Sequence, residues 1–397
     1  MNNTHALSKS LALALPTALL AALLVPRSPL PTPGIARLTQ EFSADLGVVI
    51  SASHNPYFDN GIKFFDRSGS KLTDDVERQI EAHLQNPAIT LESQSLGKAK
   101  RIDTARVRYQ EFCAASMADG TDLEGLKIVF DGANGAGYKV GPRTLGNLGA
   151  DVIPIGCSPN GKNINDGCGS TEPDLLQLTV PTLKADAGVA LDGDGDRLVM
   201  VDESGQLIDG DQLLYILAMA RHRKGELTGP VVGTVMSNLG LEKALQAENI
   251  EFTRANVGDR YVLEVLRQTG GIIGGETSGH MIILDKATTG DGLVCALQVL
   301  SIMKETGKPL SELASGMRKY PQTMVNVRTE KRMDPHSSEA VRTAVAAAEG
   351  ELADIGRVVL RASGTEPVIR VMVEGEDHDQ VVTIANRLAE AVAEAAS

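Results

Sequence analysis

A series of α/β domains closing in a smaller α+β domain is predicted by three observations. Apolar runs that end in Gly/Asp/Ser loops recur along the chain, as in "GVVIS", "KIVFDG", "AGVALDGDGDR", "VVGTVMS" and "GGIIGGETSG", and helical stretches commonly follow them. Forty glycines, 3% aromatics and no tryptophan in 397 residues suit tight loops between elements rich in Val, Ile, Leu and Ala. Near the C-terminus the character changes. There "RVVLRASGTEPVIRVMVEG" reads as strand, loop and strand, and residues 378–396 read as an amphipathic helix. Boundaries fall where a helical pattern stops and a fresh buried strand begins: after "FCAASMADGTDLEG", near "RHRKGELTGP" and near "MRKYPQTMVNV". The predicted α/β domains are therefore 28–120, 121–226 and 227–320, and the α+β domain is 321–397. Ligands of such sheets gather at loops beyond the carboxyl ends of the strands, so one central cleft is expected.

Composition narrows the function. With 42% hydrophobic and 22% charged residues the chain suits a soluble multidomain protein. A formal charge of -13 would repel a phosphate backbone, and no Lys/Arg cluster interleaved with aromatics offsets it, so no nucleic-acid partner is expected. Cys113, Cys157, Cys168 and Cys295 lack CxxC spacing, which argues against a zinc site or a disulfide framework and for reduced thiols in the cytoplasm. Lys9 precedes an apolar run, 11–25, that resembles a signal-peptide core, but "PRSPLPTPG" follows it instead of a small-residue cleavage site. The run is short for a bilayer span, so no membrane association is expected and an alanine/leucine-rich helix packed on the first domain is.

Four loops carry the chemistry. In "SASHNP", Ser51 and Ser53 flank Ala52. A serine attacks phosphorus only with a positioned electrophile, a metal to neutralise charge and a neighbour to handle the proton, and His54 and Lys63 are candidates for that neighbour. The competing reading is a Ser/Asn-rich turn that caps a helix. In "DGDGDR", Asp192, Asp194 and Asp196 alternate with glycines directly after an apolar strand. Three carboxylates so spaced can converge on one Mg²⁺ and leave room for a phosphate oxygen. An EF-hand shares this acid spacing, but Arg197 stands where its sixth-position glycine belongs, and "RLVMVDESG" lacks the look of a flanking helix.

The third loop is "GGETSGH", residues 274–280. Glu276 and Ser278 could bond paired sugar hydroxyls, and Glu276 could also pair with a substrate ammonium group. A glycine-rich turn with a capping acid is the alternative. The fourth, "RASGTEPVIR", gathers Arg361, Ser363, Gly364, Thr365 and Arg370, a set able to cradle phosphate oxygens with hydroxyls, backbone N–H groups and a bidentate arginine. A solvated hairpin with surface arginines would read similarly.

With these four loops in this order, the chain resembles the α-D-phosphohexomutase superfamily, and within it the bacterial phosphoglucosamine mutases. The resemblance runs from "PLPTPGIARLT" to the C-terminus. "ANVGDRYV", "GGETSGH" and "TTGDG" favour the glucosamine branch; a phosphomannomutase or phosphoglucomutase is the alternative, or a catalytically impaired sugar-phosphate-binding homologue. The resemblance implies that Ser53 is phosphorylated and joins Asp192, Asp194 and Asp196 on one Mg²⁺. Lys63 would handle protons, and His54 and Arg197 would place the phosphoryl group. Glu276, Ser278 and His280 would bind the sugar; Arg361, Ser363, Gly364, Thr365 and Arg370 would hold the phosphate that stays put. It further implies interconversion of glucosamine 6-phosphate and glucosamine 1-phosphate, with glucosamine or glucose 1,6-bisphosphate as intermediate or activator. That reaction supplies UDP-N-acetylglucosamine and peptidoglycan precursors in the cytoplasm, and the resemblance allows a homodimer. The family begins with a strand and a "TDGIRG"-type segment that has no counterpart here. Residues 1–27 are atypical, and the first of the three similar α/β domains is expected to be incomplete.

Overall fold

The computed structural model describes residues 23–87, 92, 97–118, 120–329, 334–362 and 367–396. The chain divides into two compact units: Met1–Leu207 with Met281–Leu310, and Ile208–His280 with Ser311–Ser397.

The first unit opens with β1 (Leu23–Pro26), α1 (Thr32–Glu41), β2 (Leu46–Ser51), β3 (Gly61–Asp66), α2 (Asp74–His83), β4 (Ala99–Ile102) and α3 (Ala105–Ala114). β1 runs parallel to β4, while β2 and β3 pair antiparallel with Val49 opposite Lys63. These strands form two separate two-stranded sheets. Successive side chains of a strand point to opposite faces. Val49 of β2 therefore joins Ala36 of α1 and Phe65 of β3 in a small core, whereas Val48 and Ile50 remain 47% and 73% exposed. Of the apolar run expected to be helical, residues 11–22 lie outside the described residues, and the remainder is strand. The proline at position 26 accounts for this locally, because it biases the residue before it toward extended backbone.

Next come β5 (Lys127–Asp131), α4 (Val140–Asn147), β6 (Asp151–Ile155), α5 (Asp174–Thr182), β7 (Ala187–Leu191), β8 (Leu198–Asp202) and β9 (Leu207–Ile208), in one sheet of order β6–β5–β7–β8–β9. β6, β5 and β7 are parallel, and β8 returns antiparallel to β7. Every residue of β7 and β8 is buried, which explains why "AGVAL" and "LVMVD" read as unbroken apolar runs without alternation. Leu176 and Val180 of α5 pack on Val129, Ala190, Val199 and Val201. That packing fixes both ends of the loop between β7 and β8.

The second unit contains α6 (Gly210–Lys224), β10 (Val231–Thr234), α7 (Leu239–Ala247), β11 (Phe252–Ala255), α8 (Asp259–Thr269) and β12 (Ile273–Gly275). β10 is flanked by β11 and β12, both parallel to it. Asp209 and Gln212 form a capping box at the start of α6, and Gly225, at φ 69°, ends it. β13 (Met281–Ile283) and α9 (Gly292–Thr306) belong to the first unit.

The C-terminal part of the second unit has β14 (Gln322–Arg328), α10 (Glu339–Leu352), β15 (Gly356–Ala362), β16 (Val368–Gly375) and α11 (His378–Ala396). Its antiparallel sheet, β14–β16–β15, shares a core with both helices through Val341, Leu352, Val371, Val373, Ile384 and Leu388. This is the α+β domain read from the sequence. Glu374 of β16 is fully buried, pairs with Arg357 Nε at 2.7 Å and accepts the Leu239 N–H at 2.8 Å. Arg357 in turn donates to the carbonyls of Val235 and Ser237. Removing one partner of a buried pair strands the other charge, so Glu374→Ala is expected to cost about 3–5 kcal/mol. A urea midpoint unchanged from wild type would contradict this.

Candidate active site

The loop 192–197 joins two buried antiparallel strands, β7 and β8, so the EF-hand reading fails: no helix flanks it on either side. Asp192, Asp194 and Asp196 are all buried, and one oxygen from each lies within 4.8 Å of the others. Two glycines make this possible. A Cβ at Gly193 would sit 2.5 Å from the Ser53 carbonyl oxygen, and Gly195, at φ 72°, holds a left-handed turn. Burial, then the charges of Asp196 and Asp194, pushes the Asp192 carboxyl well above the usual carboxylate range.

Ser53 meets this cluster from the end of β2. Its Oγ donates to Asp192 Oδ2 at 3.4 Å and accepts from Lys63 Nζ at 3.4 Å. The residue sits at φ 53°, a left-handed conformation that a serine adopts only when its surroundings impose it. The Ser51 hydroxyl accepts its N–H at 2.9 Å, and Asn165 Nδ2 donates to the carbonyls of Ser53 and Asn55 at 2.8 and 2.9 Å.

Lys63 projects from β3 and donates to Asp194 Oδ2 at 2.7 Å and Asp196 Oδ2 at 2.8 Å. Burial alone would lower its pKa; the carboxylates of Asp196 and Asp194 outweigh that and hold the ammonium above its ordinary range. His54 moves the other way, depressed by burial and then by the Arg197 charge. The Arg197 N–H donates to Asp192 Oδ1 at 3.1 Å. All seven residues read from the first two loops thus meet in the first unit.

The residues present fit a hard divalent cation. Three carboxylates crowd one point, and Asp194 Oδ1 is buried without a hydrogen-bond partner. A bound cation would relieve both the like-charge repulsion and the orphaned acceptor.

In the second unit, Glu276, Ser278 and His280 follow β12. Glu276 Oε1 accepts the Gly258 N–H at 2.9 Å, and His280 Nε2 lies 3.2 Å from Asp259 Oδ2. The Glu276 bond therefore ties "GGETSGH" to "ANVGDRYV", and the His280 ring lies against Asp259 of the same segment. His280 is buried, Glu276 is half-buried and Ser278 is exposed. Arg361 of β15 stands directly opposite Arg370 of β16 in the ladder. Burial, then the Arg370 charge, lowers the Arg361 pKa, and its Nε is buried without a partner. Two like charges face to face destabilise a sheet unless an anion sits between them. Ser363, Gly364 and Thr365 lie outside the described residues.

Sequence models of the phosphoglucomutase/phosphomannomutase α/β/α domains I, II and III match residues 4–89, 108–205 and 209–320, and that of the C-terminal domain matches 324–391. The chain belongs to the phosphoglucomutase/phosphomannomutase family. A phosphoglucosamine mutase of Aeromonas salmonicida is 57% identical over 364 residues, 92% of this chain and 82% of that protein. Another, from Photorhabdus laumondii, is 56% identical over the same shares. These identities place the chain in the phosphoglucosamine mutase branch of the family. Among solved structures, a phosphoglucomutase/phosphomannomutase family protein of Burkholderia thailandensis superposes with a TM-score of 0.74 at 23% identity, over 93% of this chain and 82% of that one. An Aspergillus fumigatus N-acetylphosphoglucosamine mutase, in complex with GlcNAc-6P and magnesium, gives 0.73 at 20% identity over 92% and 93%. At those identities the likeness concerns the fold.

Two supports of this phosphohexomutase site escape sequence reasoning. Asn165 lies 112 positions from Ser53 in a polar loop with no local sign of its partner. Asp291, noticed only as part of "TTGDG", accepts the Leu293 and Val294 N–H groups at the start of α9 and the Tyr109 hydroxyl at 3.0 Å from each oxygen. Burial raises its carboxyl to about 6. The neighbouring Gly292 N–H donates to the Gly195 carbonyl at 3.1 Å, so α9 braces the acidic loop. Asn165→Ala frees two carbonyls that hold the Ser53 turn. It is expected to lower kcat by up to about 10²-fold with little change in KM, the size of effect produced by misplacing a reacting atom by about 1 Å. Steady-state kinetics in both directions check this, and a wild-type kcat would show that the turn is held without Asn165.

Proposed function

We propose that the protein is a phosphoglucosamine mutase, a cytoplasmic enzyme that interconverts glucosamine 6-phosphate and glucosamine 1-phosphate. The observation that carries the reading is Ser53 Oγ set between Asp192 and Lys63 at the edge of three buried carboxylates. In the resting enzyme Ser53 carries a phosphoryl group. The substrate hydroxyl at O1 attacks its phosphorus, the bond to Ser53 Oγ breaks, and the sugar becomes a 1,6-bisphosphate. The proton lost by the sugar hydroxyl passes to a basic group of the site, and Ser53 Oγ takes up a proton as it leaves. After the sugar turns over, Ser53 Oγ gives up its proton and attacks the phosphorus at O6, the P–O6 bond breaks and O6 takes up a proton, which restores the phosphoserine and releases glucosamine 1-phosphate.

Asp192, Asp194, Asp196 and the phosphoserine would hold one Mg²⁺, whose charge offsets that of the transferring group. Lys63, in contact with both Ser53 and two of the acids and held as an ammonium by them, would handle the proton by giving it to Ser53 Oγ as that oxygen leaves, with His54 and Arg197 aiding placement of the phosphoryl group. Arg361 and Arg370, with Ser363, Gly364 and Thr365, hold the phosphate that does not transfer. The facing arginines support this, since an anion between them would relieve their repulsion. Glu276 and Ser278 read the sugar, and His280 keeps their loop in place through Asp259.

Coupled assays on glucosamine, glucose and mannose phosphates test the assignment, with glucose 1,6-bisphosphate supplied as activator. The expected result is the highest kcat/KM on the amino sugar. Higher efficiency on mannose or glucose phosphate would move the chain to the other branch, and stoichiometric binding without isomerisation would make it a sugar-phosphate-binding homologue.

A further inference from the structure

Asp194 is gripped from a side that the mechanism does not use. Thr32, the first residue of α1, is fully buried. Its N–H donates to the Asp194 carbonyl at 2.8 Å, and its hydroxyl donates to Asp194 Oδ2 at 2.6 Å. Lys63 Nζ reaches the same Oδ2 at 2.7 Å. A carboxylate oxygen offers about two lone-pair directions, so Oδ2 is filled by these two donors. Oδ1 is the atom left over, buried and without a hydrogen-bond partner. Two prolines frame the contact. Pro31 precedes Thr32 and lies against Gly195 of the acidic loop, where a Cβ would come within 3.1 Å of it, and Pro33 opens the helix. The "PTP" turn is therefore a rigid clamp on "DGDGDR", with the threonine hydroxyl as its one polar side-chain contact to a carboxylate.

We infer that Thr32 is a positioning residue for the cation site: by occupying Oδ2 of Asp194 it presents Oδ1 to the metal. The inference rests on the reading of the acidic loop as a metal site. Its logic is that of an outer partner which orients a ligand and whose loss costs about 10–100-fold in metal affinity. Mg²⁺ demands near-ideal octahedral geometry, whereas Ca²⁺ tolerates irregular sets of oxygens. A carboxylate freed to rotate should therefore harm the two ions unequally.

The test is calorimetric titration of the full chain with MgCl₂ and, separately, with CaCl₂, for wild type, Thr32→Val and Thr32→Ser. Valine keeps the shape of threonine and removes the donor; serine keeps the donor. Thr32→Val is expected to weaken Mg²⁺ binding about 10–100-fold and Ca²⁺ binding clearly less, with Thr32→Ser close to wild type. Equal losses for both ions would mark general loosening of the fold and overturn the positioning role, as would wild-type Mg²⁺ affinity in Thr32→Val. Failure of the wild-type chain to bind either ion would overturn the metal reading itself, a result distinct from both.

Discussion

Ser53→Ala is expected to abolish turnover, lowering kcat at least about 10⁴-fold, which corresponds to about 5 kcal/mol of transition-state stabilisation. The reason is the absence of a substitute. A phosphoryl group must leave one oxygen before it reaches another, and Ser53 places its hydroxyl against both Asp192 and Lys63, whereas the Thr32 hydroxyl is fully buried and committed to Asp194. The fold should tolerate the change. The Oγ makes two contacts at 3.4 Å, long for hydrogen bonds, so their loss costs on the order of 1 kcal/mol or less. Alanine meets the same left-handed backbone at φ 53° that serine does. Kinetics with thermal unfolding of the same preparation separate the two effects. Residual turnover within about tenfold of wild type would remove Ser53 from the carrier role.

The second large effect concerns Lys63. Its ammonium contacts both Asp194 and Asp196, and those acids are nearly inaccessible. Lys63→Met should therefore destabilise the metal-free protein by about 3–5 kcal/mol, the penalty for leaving buried charge without its partner. The pH dependence follows from the direction of each shift. The folded-state pKa of Lys63 is raised, so its contribution is complete below the unfolded value and is lost only as alkaline pH passes the folded one. Asp192 is raised as well, so its protonated form favours the folded state, and that advantage fades as pH rises through its folded pKa. The deficit of Lys63→Met should accordingly shrink as alkaline pH passes the folded value of Lys63, and Mg²⁺ should restore more stability to the variant than to wild type. Denaturant unfolding in chelator, across pH and with added Mg²⁺, reads all three. Equal stability of variant and wild type in chelator would show that Lys63 does not balance these acids.

Much of this was legible in the sequence because the chemistry is written in short stretches. "DGDGDR" after "AGVAL" carries its own instructions: an apolar strand delivers three acids, and the glycines between them let the backbone turn. The facing pair Arg361 and Arg370 could be anticipated from strand, loop, strand. Partnerships set by tertiary packing could not. Thr32 meets Asp194 across 162 positions, and Asn165 meets Ser53 across 112. Neither residue differs in local pattern from an ordinary helix start or polar loop. His280 reads as part of a sugar loop, and its burial 3.2 Å from Asp259 is a placement that only the fold discloses. The break between the β1–β4 and β2–β3 pairs likewise depends on which edges meet, which periodicity does not encode.

The most direct measurement is the mass of the Ser53 peptide before and after the full chain is incubated with glucose 1,6-bisphosphate and then chased with glucosamine 6-phosphate. The account predicts that this peptide gains one phosphoryl group, that it alone does so, and that the chase exchanges the group with sugar as glucosamine 1-phosphate accumulates. Isomerisation that proceeds while Ser53 stays unmodified, or with the phosphoryl group on another residue, would contradict it.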